Sequence, residues 1–408
     1  MSDDESVEAI LPGPVRLARR MGEVGTWVMR DPLRLGEVAD VISLAGGLPA
    51  GETLPAVEIG EAVTQVVTSR QAVTALQYSS AEGLPELRAW IADRASVDRG
   101  RPVDPGQVVV TAGGLQGLDV IARVLLDPGD LVAVEEPVFP GSLHCLEMYQ
   151  PEFLAVPVDD DGMDVSALAE RLAGGLRPKL VYTVATFHNP TGVTLSASRR
   201  RELADLAERF EFMVVEDEPY TALRFRGDPL HPVAAYSDNV ITIGSFSKTL
   251  GPGLRAGWVV VPPAFAGAVG RAKRWSDLHT STLLQYTLVT LLGRDGWFDA
   301  HLARLPAVYG QRCTALRDAV ARYLPGVLEV NDPAGGLFVW GRVVAGLSAD
   351  DLLDAAIRAG VSYVCGPQFA VHNPDPATLR MSFAGNSPQR LELAARRLAD
   401  AATTVLGR

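Results

Sequence analysis

Ser245-Phe246-Ser247-Lys248-Thr249-Leu250-Gly251-Pro252-Gly253-Leu254-Arg255-Ala256-Gly257 is the stretch on which the reading of the fold turns. It sits between two apolar runs, Val240-Ile241-Thr242-Ile243 and Trp258-Val259-Val260-Val261, whose β-branched content reads as strand. Only three of the 37 Lys and Arg residues are lysines. An amine set beside two serines and followed by a glycine-rich turn with one arginine therefore stands out. An amine condenses with a carbonyl, and two hydroxyls with a forked guanidinium suit a phosphate. Pyridoxal phosphate carries both groups, and Lys248, Ser245, Ser247 and Arg255 are the residues expected to hold it. Gly251-x-Gly253-x-x-x-Gly257 imitates a dinucleotide fingerprint, but it is one residue too long, contains Pro252 and precedes a strand rather than a helix.

Outward from this stretch, short β-branched runs at 108–111, 131–134, 180–183, 212–215, 240–243 and 258–261 alternate with helical patterns. Leu118, Ile121, Val124 and Leu125 recur at helical spacing, as do Leu203, Leu206 and Phe210. The pattern predicts a doubly wound α/β sheet. From about residue 300 it changes to a long helical stretch, strands at 328–330 and 335–340, a helix at 350–359 and a last strand and helix, which predicts a smaller α+β domain. The division expected is an N-terminal segment 1–48 joining the small domain, a large domain 49–300 and a small domain 301–408.

In open α/β sheets a ligand sits beyond the carboxyl ends of the strands, and the chemically informative residues fall there. Ala112-Gly113-Gly114-Leu115-Gln116 opens a helix whose free N–H groups suit a phosphate. Glu135-Glu136-Pro137-Val138-Phe139 brings a ring able to stack on a flat heterocycle. His188-Asn189-Pro190-Thr191-Gly192 presents an amide from a fixed turn, and Asp217-Glu218-Pro219-Tyr220 sets a carboxylate three residues from a phenol. Asp217 suits a protonated pyridine nitrogen and Tyr220 the ring's phenolic oxygen.

Composition narrows the class. A hydrophobic share of 47% and a charged share of 21% are those of a globular protein, and a net charge of −12 argues against nucleic acid. The start Met1-Ser-Asp-Asp-Glu-Ser6 lacks the basic-then-apolar run of a signal peptide, and the uncharged stretch 256–270 is interrupted by Pro262-Pro263 and too short to span a bilayer. Three scattered cysteines and six histidines without a His-x-x-x-His pair indicate neither a disulfide framework nor a metal site, so a reducing cytoplasm is expected.

On these motifs the chain resembles the class I/II aminotransferases of pyridoxal-phosphate fold type I, and within them the aminoadipate/kynurenine aminotransferase-like group. The resemblance runs through Ile42-Ser-Leu-Ala-Gly-Gly47-Leu-Pro49, Gln77-Tyr78-Ser79, Asn189-Pro-Thr-Gly192, Asp217-Glu-Pro-Tyr220, residues 245–257, Asp277-Leu-His-Thr-Ser281 and Leu379-Arg380-Met-Ser-Phe383, nearly the whole chain. It implies a large domain with a mostly parallel seven-stranded sheet plus the smaller α+β domain. It also implies transfer of an amino group from an L-amino acid to a 2-oxo acid by a ping-pong mechanism. Lys248 would carry the cofactor as an aldimine and shuttle the proton, Asp217 would face the pyridinium, and Tyr220 and Asn189 would donate to the ring oxygen. Phe139 would stack on the ring, and Gly114 and Leu115 would supply N–H groups to the phosphate. Arg380 would grip the substrate α-carboxylate, with Gly47 and Asn189 beside it. Tyr78 would reach the partner's cofactor phosphate, which implies a homodimer.

The chain also departs from the family pattern. Gly114 and Leu115 replace hydroxyl and amide residues, and His188 stands where glutamine is common, read as a packing or hydrogen-bonding variant rather than a new base. Arg30 has the spacing of an arginine that meets a distal carboxylate, yet Pro32 follows it, so a distal-carboxylate ligand and a surface charge both stay open. The same residues suit a lyase, decarboxylase, cyclase or oxidase of amino acids in a biosynthetic pathway. A pyridoxal-sensing regulator is disfavoured, since about forty residues precede the 43–49 motif, too few for a winged helix.

Overall fold

The computed structural model of the chain describes residues 18, 20, 21, 40–344 and 346–407. Strand β1 (Ile42–Ser43) is followed by β2 (Val108–Thr111), β3 (Leu131–Glu136), β4 (Glu152–Asp159), β5 (Gly162–Met163), β6 (Leu180–Thr183), β7 (Met213–Asp217), β8 (Val240–Ser245) and β9 (Gly257–Val260). The large sheet runs β2-β9-β8-β7-β6-β3-β4-β5. From β8 to β4 every pairing is parallel, and β9 runs against both β8 and β2. Seven strands make the body, as expected, and the two-residue β5 extends its edge through a hairpin with β4.

β4 was not anticipated. Pro157 interrupts its apolar run, and a proline is tolerated in a strand only near an edge, which is where the pairing of β4 with the short β5 puts it. The strand expected at 212–215 starts one residue later and reaches Asp217, and β8 extends to Ser245, so both chemical residues end a strand.

Side chains alternate across the sheet. Ile243 and Val259 face the helix Gly114–Leu125, which packs close because Gly117 has no Cβ; one built there would lie 2.9 Å from Val259 Cγ1. On the other face Leu203, Ala204 and Ala207 of the helix Ala197–Phe210 close a second core with Val181 and Val214. Burial on both faces explains the near-continuous apolar runs of the strands.

Beyond residue 300 comes the helix Leu305–Tyr323, then β10 (Leu328–Val330), β11 (Phe338–Val343), the helix Ala349–Arg358, β12 (Val361–Ser362), β13 (Val364–Cys365), β14 (Thr378–Ser382) and the helix Pro388–Val405. β10, β11, β14 and β13 form an antiparallel sheet. The strand expected at 335–340 is shifted, because Gly335 and Gly336 sit against the Phe187 ring and pairing starts at Phe338. The helix Ala349–Arg358 starts at a reciprocal cap between Ser348 and Asp351. β1 pairs in parallel with β12, which ties the 42–43 segment to the C-terminal layer. No helix among the described residues is long and apolar enough to cross a membrane.

Candidate active site

The carboxyl ends of β2, β3, β6, β7 and β8 gather the residues singled out above. Lys248 lies three residues past β8, and its Nζ donates to the carbonyl of Gly47 at 2.9 Å. Burial first, then the positive charge of Arg380, lowers its pKa to about 8, with Asp217 acting the other way. A substantial neutral fraction therefore exists near neutral pH, which an amine nucleophile and proton carrier requires.

Asp217 ends β7. Its Oδ2 accepts from the hydroxyl of Tyr182 on β6 at 2.8 Å. Burial pushes the carboxyl up to about 7; the Tyr182 hydrogen bond opposes this, while Glu218 and Glu135 add to it. A carboxylate raised in this way is stabilised by a cation placed opposite it, and a protonated ring nitrogen is one. Tyr182 is fully buried and its own pKa is raised, by burial first and then by Asp217. Tyr182 was missed in the sequence; the one signal was a phenol among the small and aliphatic side chains of its strand.

The phosphate corner lies alongside. Gly113 caps the helix Gly114–Leu125 with φ 103°, a conformation that favours glycine. A Cβ on Gly113 would lie 2.8 Å from the Arg255 guanidinium, and one on Gly114 would lie 3.9 Å from Asp217 Oδ1. Arg255 therefore covers the helix start, held by the carbonyl of Ala112 at 3.0 Å. Ser245 donates to Ser247 Oγ at 2.8 Å and accepts from the Ser247 N–H at 3.0 Å. A helix N-terminus, two coupled hydroxyls and an arginine make an anion cradle. Leu115 is exposed, so only its backbone belongs to the cradle.

Arg380, on β14, is 5% exposed. It donates to Asn189 Oδ1 at 2.6 Å and to the carbonyl of Ala45 at 2.7 Å. Phe338 and Phe369 flank its guanidinium, with centroids at 4.3 and 4.8 Å. Its buried Nε has no acceptor, and none of its described partners is a carboxylate. Burial lowers its pKa to about 10 and leaves it charged. An under-satisfied buried guanidinium is a receptor for a carboxylate. Ala45, Phe338 and Phe369 carried no sequence signal for this role, since they meet Arg380 only when the segment after β1, the strand β11 and the turn after β13 come together around β14.

Tyr220 is buried, and its phenol is raised mainly by burial, an effect opposed by Arg380 and by a hydrogen bond with Asn189. Gly47 leaves no room for a Cβ, which would lie 2.6 Å from Phe338 Cζ. Phe139 follows β3 half-buried, its ring against Gly141. Tyr78 is 77% exposed and meets His279 edge-on at 5.7 Å. His188 is buried with Nδ1 2.8 Å from Thr191 Oγ1 and Nε2 3.2 Å from Glu135 Oε2; neither partner is one of the site residues above. Arg30 lies outside the described residues.

The amine, the ring acid, the anion cradle and the carboxylate receptor fit pyridoxal phosphate together with an amino acid. Comparison with known proteins agrees. Residues 39–398 match the model for aminotransferase class I and II. Aromatic-amino-acid aminotransferase 1 of Thermococcus litoralis is 37% identical, covering 91% of this chain and 90% of its own length. The crystal structure of a multiple substrate aminotransferase from Thermococcus profundus matches with a TM-score of 0.89 and 36% identity, over 96% of this chain and 98% of that one. LysN, the α-aminoadipate aminotransferase of Thermus thermophilus, solved with N-(5'-phosphopyridoxyl)-L-leucine, matches with a TM-score of 0.87 and 33% identity, over 96% and 98%. With its site geometry and a match spanning nearly the whole chain, this protein belongs to the class I and II aminotransferases.

Proposed function

We propose that this pyridoxal-phosphate-dependent aminotransferase takes aromatic L-amino acids as donors, with Lys248, Asp217, Tyr220, Asn189, Arg255 and Arg380 as its working residues. The observation that carries the site assignment is the buried Arg380 guanidinium, with an unsatisfied Nε, held by Asn189 and walled by Phe338 and Phe369. The aromatic preference draws support from these walls and from the aromatic-amino-acid aminotransferase of Thermococcus litoralis.

When bound, the cofactor supplies an aldehyde that exchanges amines and a ring that withdraws electrons from the substrate Cα. The protein's part is placement and proton transfer. Asp217 holds negative charge where the ring nitrogen is expected; at ~4 Å and an effective dielectric near 20 such an ion pair is worth ~4 kcal/mol before desolvation. Tyr182 keeps that carboxylate oriented and opposes its protonation. Arg380 fixes the α-carboxylate through its planar fork. Lys248 Nζ, neutral in part because its pKa is about 8, takes the proton from Cα and returns it on the other side of the transfer, a role typically worth ~10²–10⁴ in rate. The donor leaves as a 2-oxo acid before the acceptor enters, hence ping-pong kinetics.

The chain is further proposed to act as a homodimer. Val73, Leu76, Tyr78, Trp275 and Leu278 are all exposed, and the Tyr78–His279 contact joins their two neighbourhoods; such apolar exposure marks an interaction surface. Three free cysteines agree with a reducing cytoplasm. Residues 1–48, 49–300 and 301–408 are proposed as the working division, a reading supported by the pairing of β1 with β12.

The deciding experiment mixes holoenzyme with a panel of amino acids, follows bound-cofactor absorbance and identifies products by mass. Phenylalanine, tyrosine or tryptophan should each give the 2-oxo acid of unchanged carbon count. If no donor does so, the reading fails; if only dicarboxylic donors do, the aromatic assignment fails.

A further inference from the structure

A cavity of about 460 Å³ lies on the face of the large sheet opposite the helix Gly114–Leu125. Thr242, Gly244, Trp258 and Val260 form its floor, whereas the alternate residues Ile243 and Val259 point the other way, toward Gly117. Lys248, Asp217 and Arg380 are not among its walls. Its volume falls in the range of small-ligand sites, about 300–1,000 Å³.

Two independent features give this cavity a chemistry. Four rings line it: Phe246 stands 4.8 Å from Trp258, 6.0 Å from Trp90 and 6.2 Å from Phe298, and Trp90 and Phe298 are 5.2 Å apart. The second feature is Arg99, 8% exposed, whose sole acceptor among the described residues is Thr242 Oγ1 at 2.9 Å. No carboxylate among the described residues lies within ion-pair distance of it, which leaves most of its five N–H donors unused. Burial lowers its pKa to about 10, with the field of Glu216 opposing, so it remains a cation. The other wall cations are engaged: Arg200 donates to Leu195, Ala185 and Thr186, and Arg94 pairs with Asp299.

We propose that this cavity is a second ligand site, sharing Ser245 with the phosphate corner but not Lys248, Asp217 or Arg380, that binds a small aryl carboxylate with its ring among Trp90, Phe246, Trp258 and Phe298 and its carboxylate on Arg99. Aromatic walls contribute area burial and edge-to-face contact, and a buried guanidinium with spare donors gains most from a planar carboxylate. Asp98 and Glu218 also line the cavity and disfavour a dianion, which selects a carboxylate over a phosphate. β8 supplies both Thr242 and Gly244 to the floor and Ser245 to the phosphate corner, so occupancy bears on the strand that leads to Lys248.

The test titrates phenylacetate into holoenzyme by calorimetry, in the wild type and in an Arg380→Gln variant whose catalytic centre has lost its carboxylate grip. Two sites per chain are expected in the wild type and one in the variant. In the Arg380→Gln background, Arg99→Gln should weaken the remaining site by about tenfold or more. Ala95→Trp, which fills the cavity and leaves Arg99 in place, should abolish it, and it decides the matter if Arg99→Gln does not fold. No saturable binding in Arg380→Gln, or binding there unchanged by Ala95→Trp, overturns the proposal. Because no turnover is read, the outcome is independent of the donor assignment.

Discussion

The hydroxyl of Tyr182 donates to Oδ2 of Asp217 across 2.8 Å, joining the ends of two neighbouring parallel strands, β6 and β7. In Tyr182→Phe the hydrogen bond that opposes protonation of Asp217 is lost, so the carboxyl, already raised to about 7 by burial, moves higher. The acid limb of kcat/KM should shift to higher pH, with the loss of activity confined to the acid side of the profile. A pH profile identical to wild type would contradict the coupling.

Lys248 gives a stability signature separate from its chemistry. Its folded pKa of about 8 lies below the ordinary 10.5, so between those values the unfolded chain binds more protons and stability rises with pH. Below about pH 8 the folded protein carries the cost of a buried ammonium in full. Cofactor-free Lys248→Met should therefore melt above cofactor-free wild type at pH 7, with the difference shrinking toward pH 10.5. Calorimetric scans at several pH values check this, and the same variant should show no transamination.

Replacing Arg380 with lysine keeps the charge and removes the fork that spans Asn189, Ala45 and the incoming carboxylate. A loss in kcat/KM of about 100-fold is expected. The melting temperature should change far less than the kinetics, which would separate a grip on substrate from a purely structural role.

Gly257 starts β9 where a Cβ would lie 2.8 Å from the Gly113 carbonyl carbon and 2.8 Å from the Gly244 carbonyl oxygen. Both contacts are backbone and cannot swing aside. Gly257→Ala should destabilise the protein by about 1–3 kcal/mol and weaken cofactor retention, since Gly113 starts the phosphate cradle. Thermal melting and cofactor release on dialysis report the two effects separately.

Much of this site is legible in the sequence because each of its large-sheet residues belongs to a strand-end motif. Lys248, Asp217 and Asn189 stand at or beyond the ends of apolar runs that read as buried strands, and topology then brings those ends together. What escapes such reading depends on pairing across long separations. Ala45 meets Arg380 only through the carbonyl presented just after β1, and Phe338 flanks the same guanidinium only because β11 lies beside β14. β4 escaped for a local reason, Pro157 in mid-run, which its near-edge position tolerates. His188, an unusual residue at its position, proves to be enclosed by Thr191 and Glu135.

The contact between Lys248 Nζ and the Gly47 carbonyl is the sole long-range hydrogen bond, among those of the described residues, that reaches residues 42–53 from the 54–300 part of the chain. Every other long-range hydrogen bond of that segment among the described residues joins it to residues beyond 300: Ala50 N–H to the Tyr309 hydroxyl, which also meets the Thr53 hydroxyl, Arg312 to Glu52, Arg380 to Ala45, Asn386 to Ser43, and the backbone bonds with Gly360, Ser362 and Ser382. The segment is thus moored to one bank and roped to the other by a single amine. Whenever that amine is engaged elsewhere the rope is slack, and the hydrogen bonds that then hold the Gly46-Gly47 loop come from the C-terminal layer alone.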